Sequence, residues 1–408
     1  MNHWLPFEWI AAVRFLREGR LQTVFIIGGI SIGVGVIVFM SAMLAGQEAN
    51  FIKRVLASQP QIQLVTPDQI ARPLRNAAGE IEDAVVQRPS QRVISIDQWP
   101  KIMSQMRAMP EVTAVSPTIT GSVLAVRGDA SRAVTLTGVE PESYFNIVKV
   151  PEYIVVGAAR LTSEDIVIGT ELAKNLGATV GDKLNLQAAA GGNRVLTISG
   201  LVDFGNKSIN QRVSFVALRT GQSLLGMIGG ITTIDMTVKD IYAAEIVARR
   251  IQAATTVEAD SWIATNAQFF TAVQAQIYTN TLIRIFVGLS VAFGIAAVLI
   301  VSVIQRSREI GILRAMGTSR GQILRVFLLQ GGLLGFVGSL LGAALGAVAL
   351  VYWHALARQA DGTELLPLVL EESLFIYTAL LATVTGLLAA MAPAVRAAKL
   401  DPVVAIRG

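Results

Sequence analysis

The sequence predicts an α-helical membrane protein with four transmembrane helices and a large α+β extracytoplasmic domain inserted between helices 1 and 2. Hydrophobic residues make up 52% of the 408 residues and charged residues only 15%, a composition too apolar for an ordinary soluble protein. Four intervals contain no Asp, Glu, Lys or Arg, and each is long enough to cross a hydrocarbon core of about 30 Å. They lie between Arg20 and Glu48, Arg284 and Arg306, Arg325 and Arg358, and Glu372 and Arg396.

The uncharged intervals set the predicted order of segments. The first one, Leu21 to Gln47, is about twice the length of a signal-peptide core, so we interpret it as a retained helix. The predicted segments are an interfacial amphipathic helix (1–20), the first transmembrane helix (21–47), the external domain (48–265), a long stalk helix that continues as the second transmembrane helix (266–305), a coupling helix (306–323), the third transmembrane helix (324–353), an external loop (354–372), the fourth transmembrane helix (373–395) and a tail (396–408).

The distribution of arginines predicts the orientation. Arg14, Arg17 and Arg20 precede the first transmembrane helix, and five more arginines lie in the loop over 306–325, whereas the third loop is acidic. By the positive-inside rule, both termini and the 306–325 loop are cytoplasmic and the large domain lies on the far side. The net charge of +5 follows from this membrane-facing bias and gives no reason to expect nucleic-acid binding.

The long external region has the pattern of a folded α+β domain. Alternating or β-branched runs predict strands, and these are Gln61–Thr66, Val112–Val126, Ala133–Val139, Asn193–Val202, Arg212–Leu218 and Ile231–Val238. A turn-rich stretch, about 141–230, predicts an inserted β-rich lobe with flexible edges at Asn206–Asn210 and Gly226–Gly230. The stretch Arg72–Gln91 is rich in Pro, Asn, Gly and charge and predicts a mobile loop.

Two helices are predicted within this domain. Asp97 is expected to cap a helix that reaches Met109, with Pro100 in its first turn. Asp240 is expected to cap another that runs through Ala253 and buries Ile246, Val247 and Ile251.

Few residues could support catalysis or metal binding. The chain contains no cysteine, and His3 and His354 are its only histidines, so we expect no metal and no catalytic site. No G-x-x-x-x-G-K-[ST] phosphate-binding loop occurs in the sequence. We therefore expect no cofactor on this chain.

Glycine rows indicate how the membrane helices pack. Small residues four positions apart share one helix face and allow backbones to approach closely, although membrane helices also tolerate glycine without such a role. The predicted packing residues are Gly29, Gly33, Gly331, Gly335, Gly338, Gly342, Gly346 and Gly386.

The loop between the second and third transmembrane helices holds a short amphipathic segment. Ile310, Leu313 and Met316 recur at helical spacing, Gly317 predicts the end of a helix, and Ser319 with Gln322 predicts a capping box for the next one. A helix that docks a partner and a helix that rests on lipid both fit this pattern.

Four segments carry a resemblance to a known family. The run Arg308–Thr318, with sequence REIGILRAMGT, is similar to the REIGILRALGA signature of the membrane subunits of the MacB, LolC/LolE and FtsX superfamily of ABC transporters. The C-terminal Pro393–Arg407 resembles the PAxxAAxxxPxxALR ending of that family. In the external region, Ile168–Leu184 and Pro110–Pro117 are similar to two further family stretches.

The resemblance implies a mechanism called mechanotransmission, in which ATP-driven movements below the membrane are relayed to the external domain. It implies two copies of an ABC ATPase subunit that bind ATP and Mg, a second permease copy or homologue, and a bacterial inner-membrane location with a periplasmic domain. We expect Ile310, Leu313 and Met316 to fill a groove on the ATPase. Arg308, Glu309 and Arg314 would fix the register.

The function within this family stays open between two readings. Export or extraction of a lipophilic cargo, such as a lipoprotein, lipid, peptide or drug, is favoured. The alternative is an FtsX-like signalling subunit that controls a cell-wall hydrolase, although that group has a smaller external domain. A receptor or enzyme merely anchored by the helices lacks support from any catalytic constellation. The sequence does not identify the cargo, a periplasmic adaptor or carrier protein, or whether two identical copies pair.

Overall fold

The computed structural model describes residues 6–67, 94–189, 191–357 and 372–401, and these form two compact units. One unit comprises residues 1–50 and 271–408, and the other comprises residues 51–270. The helices in chain order are α1 (Phe7–Glu18), α2 (Arg20–Ser58), α3 (Trp99–Arg107), α4 (Pro141–Tyr144), α5 (Thr170–Leu176), α6 (Lys207–Asn210), α7 (Leu218–Leu224), α8 (Ala244–Ala254), α9 (Trp262–Thr265), α10 (Ala267–Gln305), α11 (Ser307–Ala315), α12 (Arg320–Leu356) and α13 (Glu372–Ala398).

Four of these helices are long and apolar enough to cross a membrane, as the sequence predicts. They are α2, α10, α12 and α13. The apolar stretch within each of them suits contact with lipid on one side and with neighbouring helices on the other. The observed α2 extends to Ser58, beyond the predicted end at residue 47, and the predicted coupling segment 306–323 divides into α11, a turn and the start of α12.

The bundle core is formed by side chains from α2, α10, α11, α12 and α13. Ile30, Leu299, Phe327 and Ala390 are buried in it together with Ile310 of α11. The short loop helix therefore contributes to the same core as the membrane helices.

The 51–270 unit is built on one ten-stranded sheet. Its strands are β1 (Ile62–Val65), β2 (Val112–Arg127), β3 (Ala130–Val139), β4 (Ile154–Gly157), β5 (Asp165–Gly169), β6 (Lys183–Ala188), β7 (Asn193–Val202), β8 (Val213–Ala217), β9 (Thr233–Val238) and β10 (Glu258–Ser261). Their order is β10-β1-β9-β2-β3-β8-β5-β7-β4, and β6 pairs with both β2 and β7. The pairs β3/β8 and β5/β7 are parallel, and the other pairs are antiparallel.

The long strand β2 joins two parts of this sheet. Its first half pairs with β9, and Val115 and Ile119 there belong to a core shared with α3 and α8. Its second half pairs with β3 and β6, and Val123 and Ala125 belong to a separate core around α5. All six predicted strands are confirmed, while β4, β5, β6 and β10 were not predicted.

Local details correct three predictions. The N-cap of α3 is Gln98, with a left-handed φ of 51° and no side-chain capping bond, so Asp97 does not cap it. Asp240 caps the short 3-10 turn Ile241–Ala243, where its carboxylate accepts a bond from the Tyr242 N–H at 3.0 Å, whereas the N-cap of α8 itself is Ala243. However, Ile246 is 64% exposed, because α8 turns Ala244, Val247, Ala248 and Ile251 toward the sheet instead. Asn206–Asn210 forms a capped helical turn with Asn210 buried.

A buried carboxyl group lies within the sheet, on the strand between β1 and β2. Asp235 on β9 is 2% exposed, and its carboxyl oxygens accept bonds from the Thr118 hydroxyl at 2.9 Å and the Gln63 amide at 3.1 Å. Burial raises the pKa of Asp235 to about 6, against the effect of these two bonds. Burial also raises the pKa of Tyr144, and the charge of Asp235 adds to that effect.

Several predictions fall outside the described residues. They concern the loop at Arg72–Gln91, His3 in the N-terminal segment, the acidic loop after residue 357 and the part of the C-terminal motif after Asp401.

Candidate functional site

Helix α11 has a well-defined start and end within the loop between α10 and α12. Gly317 has a φ of 101°, and the N–H groups of Gly317 and Thr318 donate to the carbonyls of Arg314 and Leu313, both at 3.1 Å. This pair of bonds is a Schellman motif, and the positive φ explains why glycine occupies the position. Ser319 and Gln322 then form the predicted capping box that begins α12.

The predicted coupling residues divide by exposure. Arg308, Glu309 and Met316 are exposed, and Met316 is 72% exposed. Leu313 and Arg314 are half-buried.

Ile310 requires a correction to the predicted docking stripe. It is 0% exposed and packs in the core of its own bundle, so it has no surface to offer a partner in this structure. Ile312, which was not predicted, is 44% exposed instead. The reason is helical phase: Ile312 and Met316 are four residues apart on the face of Arg308, whereas Ile310 faces inward.

Arg314 binds the end of α13 rather than standing free. Its Nη1 donates to the carbonyl oxygen of Ala398 at 3.3 Å and to that of Leu400. A guanidinium at a helix C-terminus satisfies carbonyls that have no intrahelical partner and is favoured by the helix dipole. Arg314 therefore ties α11 to α13.

Arg306 forms a second tie, which sequence reasoning did not include among the site residues. It occupies the break between α10 and α11, and its side chain is 12% exposed. Its guanidinium donates to the Glu18 carboxylate at 2.6 Å and to the Phe15 carbonyl at 3.1 Å, and lies 4.6 Å from the centre of the Phe15 ring. The bonds from Arg14 and Arg306 lower the pKa of Glu18.

A charge pattern could have pointed to the Arg306 tie. Glu8 and Glu18 are the only acidic residues of an otherwise basic lead segment. Both contact arginines of the loop region in the structure, Glu8 with Arg325 at 3.8 Å and Glu18 with Arg306.

The glycine rows place α12 between two other helices. A methyl group at Gly331 or Gly335 would lie 2.5 Å from a backbone oxygen of α13, that of Gly386 or Ala382. Further along the same stripe of α12, a methyl group at Gly338, Gly342 or Gly346 would lie 2.6–2.9 Å from atoms of α2. Only residues without side chains permit this approach.

Two glycines of α2 behave differently from each other. A methyl group at Gly33 would lie 2.7 Å from Val287 of α10. Nothing lies within 4 Å of such a group at Gly29, so the predicted packing role of Gly29 is not observed. Gly29 and Gly294 instead line an apolar cavity of about 390 Å³ between α2 and α10, together with Phe25, Ile26 and Val298.

The described part of the chain contains no group of three or more His, Asp or Glu side chains placed to hold a metal ion.

Comparisons with known proteins give consistent relatives. The model of the FtsX-like permease C-terminal family matches residues 281–402, and that of the MacB-like periplasmic core domain matches residues 23–254. The second match covers more than half of the chain. The lipoprotein-releasing system transmembrane protein LolC of Xylella fastidiosa is 24% identical over 80% of this chain and 87% of its own length. LolC of Haemophilus influenzae is 24% identical over 98% of this chain and 99% of its own length.

Solved structures with a local likeness include the periplasmic region of MacB from Actinobacillus actinomycetemcomitans. It is 14% identical with a TM-score of 0.33, and the match covers 53% of this chain and 94% of that one. The extracellular domain of the ABC-type transporter YknZ is 13% identical with a TM-score of 0.30, covering 40% of this chain and 88% of that one.

Proposed function

Because this chain belongs to the ABC transporter permeases with a MacB-like periplasmic core domain and an FtsX-like C-terminal region, we propose that it is the membrane subunit of an ATP-driven exporter. In this proposal a separate ATPase binds α11 from the cytoplasm, and its closure moves the helix bundle. The periplasmic domain receives that movement and displaces a lipophilic cargo. The single observation that carries the proposal is the exposed apolar face of a helix that is fastened on its other sides.

The exposed face is suited to a protein partner. Ile312 and Met316 are 44% and 72% exposed and adjoin the charged side chains of Arg308 and Glu309. Apolar residues surrounded by charged ones that can set the register are typical of the core and rim of a protein interface. The ATP and Mg of the assembly would be bound by that partner.

Because α11 is held by contacts with several other helices, a movement of α11 can be transmitted to the bundle. Ile310 is buried in the bundle core, Arg306 is bound to α1, and Arg314 is bound to the end of α13. A displacement of α11 must therefore break these contacts or carry α1 and α13 with it. Packed elements move as discrete bodies rather than deforming continuously.

The ends of two membrane helices are built into the core of the 51–270 unit. Phe51 at the end of α2 stacks on Phe269 at the start of α10, with ring centres 3.4 Å apart. Phe270 packs edge-on against the buried Trp262 at 5.3 Å. The chain of α10 then continues without interruption from Ala267 to Gln305. Such a helix is a suitable lever for relaying movement to the periplasmic domain.

The apolar cavity between α2 and α10 supports the proposal that the cargo is lipophilic. Its volume of about 390 Å³ falls within the range of small-ligand sites. The LolC relatives are named for lipoprotein release. We further propose that two permease chains pair, and that the termini face the cytoplasm.

The test is the ATPase activity of the complex reconstituted from the full chain and an ABC ATPase that co-purifies with it. We expect Ile312→Asp and Met316→Asp to lower permease-dependent ATP hydrolysis at least about tenfold, as for interface hot spots. Ile246→Asp, which alters an isoleucine of the periplasmic unit that is 64% exposed, is the matched control and should leave ATP hydrolysis unchanged. Full hydrolysis and full binding in both α11 variants would overturn the proposal.

A further inference from the structure

Arg284 is a cation of the helix bundle for which the described part of the chain supplies no anion. It lies on α10 and is half-buried. Its Nη2 donates to the Ser41 hydroxyl of α2 at 2.5 Å. None of the carboxylates in the described part of the chain lies within 4.0 Å of it.

The position along α10 places this cation at one boundary of the bilayer. The helix from Arg284 to Gln305 is about 32 Å long at 1.5 Å per residue, close to the thickness of a hydrocarbon core. When the start of α11 lies at the cytoplasmic boundary of the bilayer, Arg284 therefore lies at the periplasmic boundary. An unpaired arginine within a membrane helix costs several kcal/mol at depth and is kept where it has a partner.

The surface next to Arg284 is apolar. A small cavity of about 30 Å³ is lined by Arg284, Val287, Val291, Leu381 and the two threonines Thr378 and Thr385. Both threonine hydroxyls donate to carbonyls of their own helix, so they offer little to a polar ligand. Val291 and Ile30 also line the larger cavity between α2 and α10.

We propose that Arg284 and Ser41 form a binding site for the phosphate group of a phospholipid-like amphiphile in the outer leaflet. A guanidinium matches a phosphate in a bidentate manner, and the Ser41 hydroxyl, which accepts from Arg284, keeps its own proton to donate to the phosphate. The apolar lining below the guanidinium suits the start of an acyl chain. The site does not depend on the ATPase, so it stands or falls separately from the proposed function.

The test measures lipid retention by the full-length chain in detergent, by native mass spectrometry. The probes are dioleoyl phosphatidylglycerol, dioleoylglycerol as an analogue without phosphate, and inorganic phosphate alone. We expect one phosphatidylglycerol to be retained in preference to dioleoylglycerol. Arg284→Gln should weaken it roughly tenfold or more, since a hydrogen bond to a charged group is lost, and Arg284→Lys should retain part of the binding.

Arg20→Gln is the control for general attraction between arginines and lipid, because Arg20 is exposed at the opposite end of α2. Its retention of phosphatidylglycerol should equal that of the unaltered chain. Equal loss in Arg20→Gln and Arg284→Gln would overturn the proposal, as would equal retention of dioleoylglycerol. Saturation by inorganic phosphate without any lipid preference would also overturn it, since the proposed ligand is an amphiphile. Melting curves of each variant verify that a loss of lipid is not a loss of fold.

Discussion

The Arg306 guanidinium donates to the Glu18 carboxylate at 2.6 Å and so joins the break between α10 and α11 to the lead helix α1. The two residues are far apart in sequence, and Phe15 adds a carbonyl bond and its ring face to the same guanidinium. This arrangement holds the lead helix and the loop helix as one body at one end of the bundle.

Arg306→Gln is expected to loosen that body. The variant loses the ion pair and the contact with the Phe15 ring, so we expect a lower melting temperature of the purified protein, on the order of 2–4 °C. The control is Arg14→Gln, which removes the other arginine bound to Glu18 at an exposed position and should shift the melting temperature less. Equal shifts for both variants would show that Arg306 has no special role.

Truncation of Ile310 should destabilise the fold much more than truncation of Met316. Ile310→Ala removes buried methyl groups from the bundle core and should destabilise the fold by about 2–4 kcal/mol. Met316→Ala alters a side chain that is 72% exposed and should change stability by less than about 0.5 kcal/mol. Denaturation curves in mixed detergent measure both. A stable Ile310→Ala variant would contradict the inward placement of that residue.

Gly331 should not tolerate a larger residue. Gly331→Val pushes a side chain against the backbone of Gly386 on α13 and should cost about 3 kcal/mol or more, because backbone cannot yield as a flexible side chain does. Gly288→Val is the matched control, since nothing lies within 4 Å of a methyl group there. The yield of folded protein after membrane extraction compares the two, and similar yields would argue against close packing of α12 on α13.

The buried Asp235 predicts a pH dependence of stability. Its pKa is raised to about 6 in the fold, above about 3.9 for an unfolded aspartate, so the fold favours the protonated carboxyl. The stabilisation of the fold by the protonated Asp235 carboxyl is fully present below about pH 4 and is lost as the pH rises through about 6. The loss amounts to about 3 kcal/mol.

Asp235→Asn isolates this effect, because an amide keeps the shape and remains neutral. The difference in unfolding free energy between Asp235→Asn and the unaltered chain should grow between pH 4 and pH 6 and stay constant above that. The subtraction is needed because Asp165 and Glu245, whose pKa values are lowered by hydrogen bonds despite the opposing effect of burial, contribute with the opposite slope. A difference independent of pH would contradict the raised pKa.

The sequence by itself determined the four membrane helices, because charge is excluded from a bilayer core and its absence is visible over any interval of sufficient length. It also determined the turn at Gly317 and the capping box at Ser319, because these depend on backbone conformation and hydrogen bonds between near neighbours. The six predicted strands followed from local alternation in the same way.

Only the tertiary structure decided which face of each amphipathic segment is buried. Ile310 and Ile312 are equally apolar, as are Ile246 and Val247, and only the neighbouring elements select which one faces the core. The ties of Arg306 to Glu18 and of Arg314 to the end of α13 join residues that are distant in sequence, as does the contact of Arg284 with Ser41. Such pairings depend on how the helices pack, and local pattern does not encode them.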